Sequence, residues 1–217
     1  MTSFPRSPRL LRGGLVLLDP DSGAVLRIIA LQYNPDSLTR SFQIKGTGQD
    51  GGDRSEALRL KGPAVETLKL ECEIDATDQL ELADPQTTQL GIQPQLATLE
   101  TLAYPTSQQL RANQQRADQG ELEIVPMQTP LVLFVWSKTR ILPVRLTELS
   151  ITEEAFDPAL NPIRAKVSLG LRALSVDDLG FAHRGGTLFM SYLLRKEQLA
   201  SQNAGAGFDA LGLTGLP

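Results

Sequence analysis

The segment 130–173, PLVLFVWSKTRILPVRLTELSITEEAFDPALNPIRAKVSLGLRA, constrains the fold of this chain more than any other, because its hydrophobic alternation and its turn residues together demand extended structure. Ile163, Ala165, Val167, Leu169 and Leu171 occupy one phase of a period-two pattern, and Arg164, Lys166, Ser168 and Arg172 the other. Successive strand residues point to opposite faces, so this pattern predicts a strand with one buried and one wet face. Upstream, Val144 and Leu146 alternate with Arg145 and Thr147; then the apolar phase slips by one residue and continues in Leu149 and Ile151. A slip of one residue predicts a β-bulge, which bends a strand and sharpens its twist. The run 131–136 is continuously apolar, bounded by Pro130 and by Ser137, Lys138 and Thr139, and reads as a more deeply buried strand. Between the last two strands stand Phe156, Asp157, Pro158, Ala159, Leu160, Asn161 and Pro162. The two prolines fix φ and bias the residues before them towards extended geometry, so no helix runs through this connection. The product is an antiparallel meander.

Flanking segments add strands and helices to this meander. Residues 13–18 and 24–33 read as a hairpin around Asp19, Pro20, Asp21, Ser22 and Gly23, residues that preset φ or tolerate positive φ. A strand over 38–44 leads into 46–62, a glycine- and acid-rich stretch without period, predicted to be a loop of subunit-contact length. In 68–74, Leu68, Leu70, Cys72 and Ile74 alternate with Lys69, Glu71 and Glu73, so the single cysteine reads as a buried core thiol. Leu96, Leu99 and Ala103 fall at helical spacing between Pro94, suited to a first turn, and Pro105, which ends the run. This helix is expected to close one side of a barrel. The polar stretch 105–125 fits either a loop or a solvated helical piece.

From 187 to 200, Leu188, Phe189, Tyr192, Leu193 and Leu199 trace a helix face, with Arg195 and Lys196 near the end where cations complement the dipole. Residues 1–10, with two prolines and two arginines, are predicted to be a flexible arm, and 205–217 a tail that orders only against another chain. The expected organisation is therefore an arm at 1–10, a β domain over 11–176, and a C-terminal helix and tail over 177–217.

Composition and motifs exclude several function classes. A net charge of −4 carries no basic surplus for phosphate-backbone binding, so nucleic acid is not an expected partner. No segment approaches the ~20 apolar residues of a membrane span and the start lacks a signal-peptide pattern, which predicts synthesis and folding in the cytoplasm without membrane insertion. Gly46, Gly48 and Gly51 match GxGxxG, but Gly52, Asp53 and Arg54 follow where a dinucleotide loop would open a helix. His183 is the only histidine and reads as a surface-loop residue. The acid pairs Glu153/Glu154 and Asp177/Asp178 are adjacent, and neighbours on a strand face opposite ways, so they read as a solvated edge rather than an acid–base pair. No catalytic constellation, metal site or cofactor site emerges. Trp136 fits a core residue better than an interface anchor.

The strand PVRLTELSITEEAF, the connection FDPALNPIRA and the closing strand KVSLGLRAL, with the earlier segment LQYNPDSLTRSF, resemble the tube-protein domain of contractile injection systems over roughly 14–176. Tyr33, Asn34 and Pro35 in one block and Phe156, Asp157, Pro162, Arg164 and Ala165 in the other are the diagnostic positions of that resemblance. It implies a mainly β, β+α fold: an antiparallel tail-tube-like β-barrel or sandwich with a packed helix and a C-terminal helical extension. It further implies a structural, non-enzymatic role in a phage-tail-like particle, as a tube initiator or inner adaptor of the baseplate. Such a subunit would form a hexameric ring with copies of itself, joining the inner tube protein to the trimeric spike hub among neighbouring baseplate proteins. Many members similar to this type carry a C-terminal LysM module that binds peptidoglycan; here the chain after 176 is too short for one. A monomeric β-barrel holding a small apolar ligand, or a baseplate protein contacting peptidoglycan, are the alternative readings.

Overall fold

In a computed structural model, which describes residues 11–46, 58–120 and 126–216, seven strands form a single sheet in the order β2-β1-β5-β6-β7-β4-β3. They are β1 (Gly14–Leu18), β2 (Val25–Ala30), β3 (Leu38–Gln43), β4 (Val65–Asp75), β5 (Leu131–Ser137), β6 (Arg140–Phe156) and β7 (Pro162–Ala173). Every pairing is antiparallel. The predicted slip is present: Leu146 faces Leu171 but Glu148 faces Gly170, leaving Thr147 as the extra residue of a bulge. Opposite it, Gly170 sits against Glu148, where an added Cβ would come within 2.9 Å of the Glu148 Cβ. The bulge therefore needs a small partner as well as an extra residue. The predicted arm at 1–10 and most of the loop 46–62, Gly48 and Gly51 included, lie outside the described residues.

The sheet is antiparallel and mainly β, as expected, but it does not close into a barrel: β2 and β3 remain as its two edges. Seven flat strands at ~4.8 Å spacing would hold those edges about 29 Å apart, and the chain from Ala30 to Leu38 spans at most about 26–29 Å. The edges are thus joined by a connection that a flat sheet would stretch to its limit. Gln32, within this connection, clasps the end of β4 by donating from Nε2 to the Asp75 carbonyl at 2.7 Å and accepting from the Asp75 amide at 3.0 Å. One continuous core then unites Leu15 and Phe134 from β1 and β5 with Leu68, Leu70 and Cys72 from β4. Curling, rather than closure, brings these strands around a common interior.

Helices cover what the curl leaves open. The short helices α1 (Thr77–Glu81) and α2 (Pro85–Leu90) lead into α3 (Gln93–Glu100), whose Leu96 and Leu99 enter the core with Ile92. Sequence reading passed over α1 and α2, although Asp84, which accepts from the Thr87 amide at 2.9 Å, followed by Pro85 is a strong helix start. Helix α3 stops short of Ala103, because Leu102 and Ala103 bond back three residues to Leu99 and Glu100 and tighten the last turn ahead of Pro105. The polar stretch resolves into a helix, α4 (Ser107–Asp118), capped reciprocally by Thr106 and Gln109.

The one-turn helix α5 (Val176–Leu179) holds Asp177 and Asp178, so the strand argument does not apply to that pair. Asp178 instead completes a capping box with Ser175 and pairs with Arg172 at 2.8 Å. His183, half-buried, is not a free loop residue: its Nδ1 caps α6 (Arg184–Ser201) by accepting from the Gly185 amide at 3.0 Å. Leu188 of α6 packs on a second cluster made by Leu18, Leu131 and Leu133, whereas Tyr192 enters the main core. The extended helix thereby ties both faces of the sheet together.

Candidate assembly interface

The residues singled out in sequence gather into two turn structures and one sheet face. Asn34 is a latch: its Oδ1 accepts from the Gly13 amide at 2.9 Å and its Nδ2 donates to the Leu11 carbonyl at 2.8 Å, fixing the entry to β1. Tyr33 beside it is half exposed. The second turn is organised by Asp157, whose carboxylate accepts from the amides of Ala159 and Asn161 and from Asn161 Nδ2, each at 2.8 Å. The Asn161 side chain and backbone hydrogen bonds hold the Asp157 carboxyl below its ordinary value. Leu160 takes a left-handed φ of 65° in this turn.

Pro162 is buried, and its carbonyl accepts from Ile92 at 2.9 Å, which docks the turn on the start of α3. Gly91 (φ 56°) is packed against that same carbonyl, leaving no space for a side chain. Both Asn-Pro segments thus fasten connections to distant elements. Phe156 is left half exposed beside the turn, and Ala165 is fully buried.

The wet face anticipated for β7 extends across three strands. Glu148, Gly170 and Lys69 form one row, Ser150, Ser168 and Glu71 the next, then Thr152, Lys166 and Glu73, and finally Glu154, Arg164 and Asp75. Its charges are largely matched internally. Arg164 Nε lies 2.6 Å from Asp75 and 3.3 Å from Glu73, Lys166 lies 2.9 Å from Glu154, and Lys69 lies 3.6 Å from Glu148. Burial works against Asp75, but the hydrogen bonds from Thr77 and Arg164 outweigh it and lower its pKa. A hollow of about 640 Å³ lies on this face between the Asn34-Pro35 turn and Ser150, Lys166 and Ser168.

A buried charge cluster escaped sequence reading altogether. Glu66, 3% exposed, accepts from Arg40, from the Tyr192 hydroxyl at 2.9 Å and from Lys196 at 2.9 Å. Burial pushes its carboxyl up, yet the hydrogen bonds from Lys196 and Arg40, the Lys196 charge and the Tyr192 hydroxyl overcome this and leave it below the usual carboxylate range. Lys196 therefore serves the sheet rather than the helix dipole expected of it. Tyr192, buried beside that carboxylate, is pushed up. The only hint in sequence is Glu66 preceding an alternating strand on its inward phase.

One sheet edge presents a row of apolar side chains to solvent. Val25, Leu26 and Ile28 of edge strand β2 are 58%, 54% and 68% exposed, and Arg27 is the sole charge on that strand. Natural edge strands are normally protected by charges, proline or a covering element. Trp136, by contrast, is half-buried, stacked on Phe134 at 5.8 Å and pressed against Gly13, closer to the core reading than to an anchor. Cys72 is buried, and burial pushes its thiol up to about 11.

A curled antiparallel sheet with two edges left unpaired among the described residues, a largely self-neutralised polar face and turn-locked connections defines a structural building block. The family model for contractile injection system tube proteins matches residues 19–179, close to the extent of the resemblance read from sequence, and the chain belongs to that family. No curated protein matches its sequence. Among solved structures, the chain is similar to one described as "Tail of empty GTA particle computed with helical refinement, C6 symmetry", at 13% identity and a TM-score of 0.27, covering 75% of this chain and 90% of that one. Among the described residues no helix is long and apolar enough to cross a membrane.

Proposed function

We propose that the chain is a baseplate component of a contractile injection system that forms a hexameric ring, joins the trimeric spike hub to the inner tube and initiates tube assembly. The observation that carries this reading is the pair of edges left unpaired among the described residues of one curled sheet, with Val25, Leu26 and Ile28 of β2 exposed. A head-to-tail contact between two different surfaces of the same subunit generates a closed ring when its rotation closes, and then every edge has a partner. In that ring the β2 edge of one copy meets the β3 edge of the next. The wet face of β4, β6 and β7 lines a water-filled lumen, with its charges already paired within each subunit. The role is mechanical, with no catalytic step. The organisation that goes with this reading is an arm at 1–10, a ring-forming domain over 11–176 and a C-terminal extension over 177–217, with Tyr33, Asn34, Pro35, Phe156, Asp157, Pro162, Arg164 and Ala165 as its family-diagnostic positions.

Deleting the gene and imaging the resulting particles tests the proposal. Spikes detached from tubes, or tubes that fail to start, are expected. Intact particles with attached spikes would refute the adaptor role.

A further inference from the structure

The C-terminal segment carries apolar side chains that its own subunit does not use. Phe208, Leu211, Leu213 and Leu216 are 47%, 72%, 45% and 75% exposed. Yet the segment has a defined shape. Phe208–Leu211 form a 3-10 turn, Gly212 adopts φ 69°, and the Leu213 amide donates to the Phe208 carbonyl at 3.0 Å. A hook already held in shape loses little conformational freedom when it docks.

The same molecule contains an apolar groove of about 770 Å³, lined by Leu15, Leu17, Leu102, Tyr104, Val132 and Leu146. Arg145 and Pro20 stand on its wall as well, and Pro20 belongs to the turn that leads into edge strand β2. The groove therefore opens beside the turn that enters the edge strand assigned above to subunit contact.

We propose that the hook of one copy, Phe208 to Leu216, inserts its apolar side chains into this groove of the adjacent copy. Three observations select a second copy as occupant. The groove borders, at Pro20, the turn that enters the edge proposed to take the neighbour. The seven residues from the end of α6 to Phe208 reach about 23–25 Å when extended, enough to cross a subunit boundary. The hook's single charge, Asp209, meets Arg145, which has no ion-pair partner among the described residues. The contact rests on the head-to-tail ring reading and gives it directionality, because tail and groove are different surfaces of one chain.

The test uses the full chain carrying Phe208→Ser and Leu211→Ser, so that its own tail does not compete, titrated with a fluorescein-labelled peptide of residues 205–217. Saturable binding is expected, weakened at least tenfold when Phe208 of the peptide is replaced by alanine, since a buried aromatic side chain contributes more than one decade. Arg145→Glu in the protein or Asp209→Lys in the peptide is expected to weaken binding roughly two- to fivefold, and the two reversals together to restore it. Arg145 is exposed, so its reversal leaves the fold intact. Absence of saturable binding overturns the proposal.

Thr147 also lines the groove, so a Thr147→Cys, Leu211→Cys double variant supplies the second readout, with buried Cys72 staying out of the reaction. Disulfides between copies support the contact, and a disulfide within one chain at high dilution overturns it by placing the hook in its own groove. If particles contain closed rings of the tail variant as readily as of the natural chain, the hook proposal fails and the ring stands. If the peptide binds but particles hold no ring, the ring fails and the hook remains a pairwise contact.

Discussion

Glu66 is the residue on which the C-terminal helix depends. Its carboxylate gathers Arg40, Tyr192 and Lys196, and Lys196 also lies 4.1 Å from the Tyr192 ring and 5.0 Å from the Phe42 ring. Removing one partner of a buried pair costs more than the pair itself contributes, because the remaining charge is left unmatched. Arg40 and Lys196 reach water, which reduces that cost. Glu66→Ala is therefore expected to lower stability by about 2–3 kcal/mol, read from denaturant midpoints.

The sign of the pH dependence follows from the lowered carboxyl. Its stabilising contribution is complete above the ordinary carboxylate value of about 4.3 and fades as pH falls through its lower folded value. Glu66→Gln is expected to be less stable than the natural protein at pH 6, with the gap narrowing below pH ~4. A gap that widens on acidification would contradict the assignment. Leu160→Gly relieves a left-handed φ at an exposed site and is expected to stabilise by up to about 1 kcal/mol, whereas Gly91→Ala strikes the Pro162 carbonyl and is expected to destabilise by more than that. Thermal melting of both variants checks these opposite signs.

At the scale of elements, the bulge in β6 decides which side chains reach the core. Beyond Thr147, Leu149 and Ile151 face inward only because one extra residue has been inserted. Inserting one alanine between Glu148 and Leu149 would rotate the remainder of β6, sending Ser150 and Thr152 towards the interior and Leu149 and Ile151 outward. The insertion is expected to abolish cooperative unfolding, while Thr147→Ala changes stability by less than about 1 kcal/mol. Circular dichroism melts of the two variants separate register from side-chain chemistry.

This bulge was legible in sequence because a phase slip survives in the apolar pattern itself. So were the half-wet strands, the first hairpin and the two helices with continuous apolar faces. Helices α1 and α2 were not, since segments of five or six residues are too short to display a period. The Glu66 cluster was hidden for another reason: its partners come from residues 26, 126 and 130 positions away, and a carboxylate looks the same in sequence whether solvated or buried. Barrel closure was over-read, because strand patterns report which face is wet but not whether the last edge meets the first.

At the scale of the molecule, the open sheet is the property that, in the proposed ring, turns a folded chain into an assembly unit. A fully paired barrel would have no reason to associate through its backbone; this sheet retains two edges and an apolar row on one of them. Ile28→Lys places a charge on β2 at a side chain that is 68% exposed. It is expected to leave the melting temperature of the isolated chain nearly unchanged while preventing incorporation into particles. Co-purification of this variant with sheath and tube at natural levels would remove the edge from the account.

The most direct test of ring formation through sheet edges is electron cryo-microscopy of purified particles. The account predicts a closed ring of six copies between spike and tube, with β2 of each copy lying along β3 of the next. Density in which β2 faces solvent within the particle, or particles that lack the chain, would contradict it.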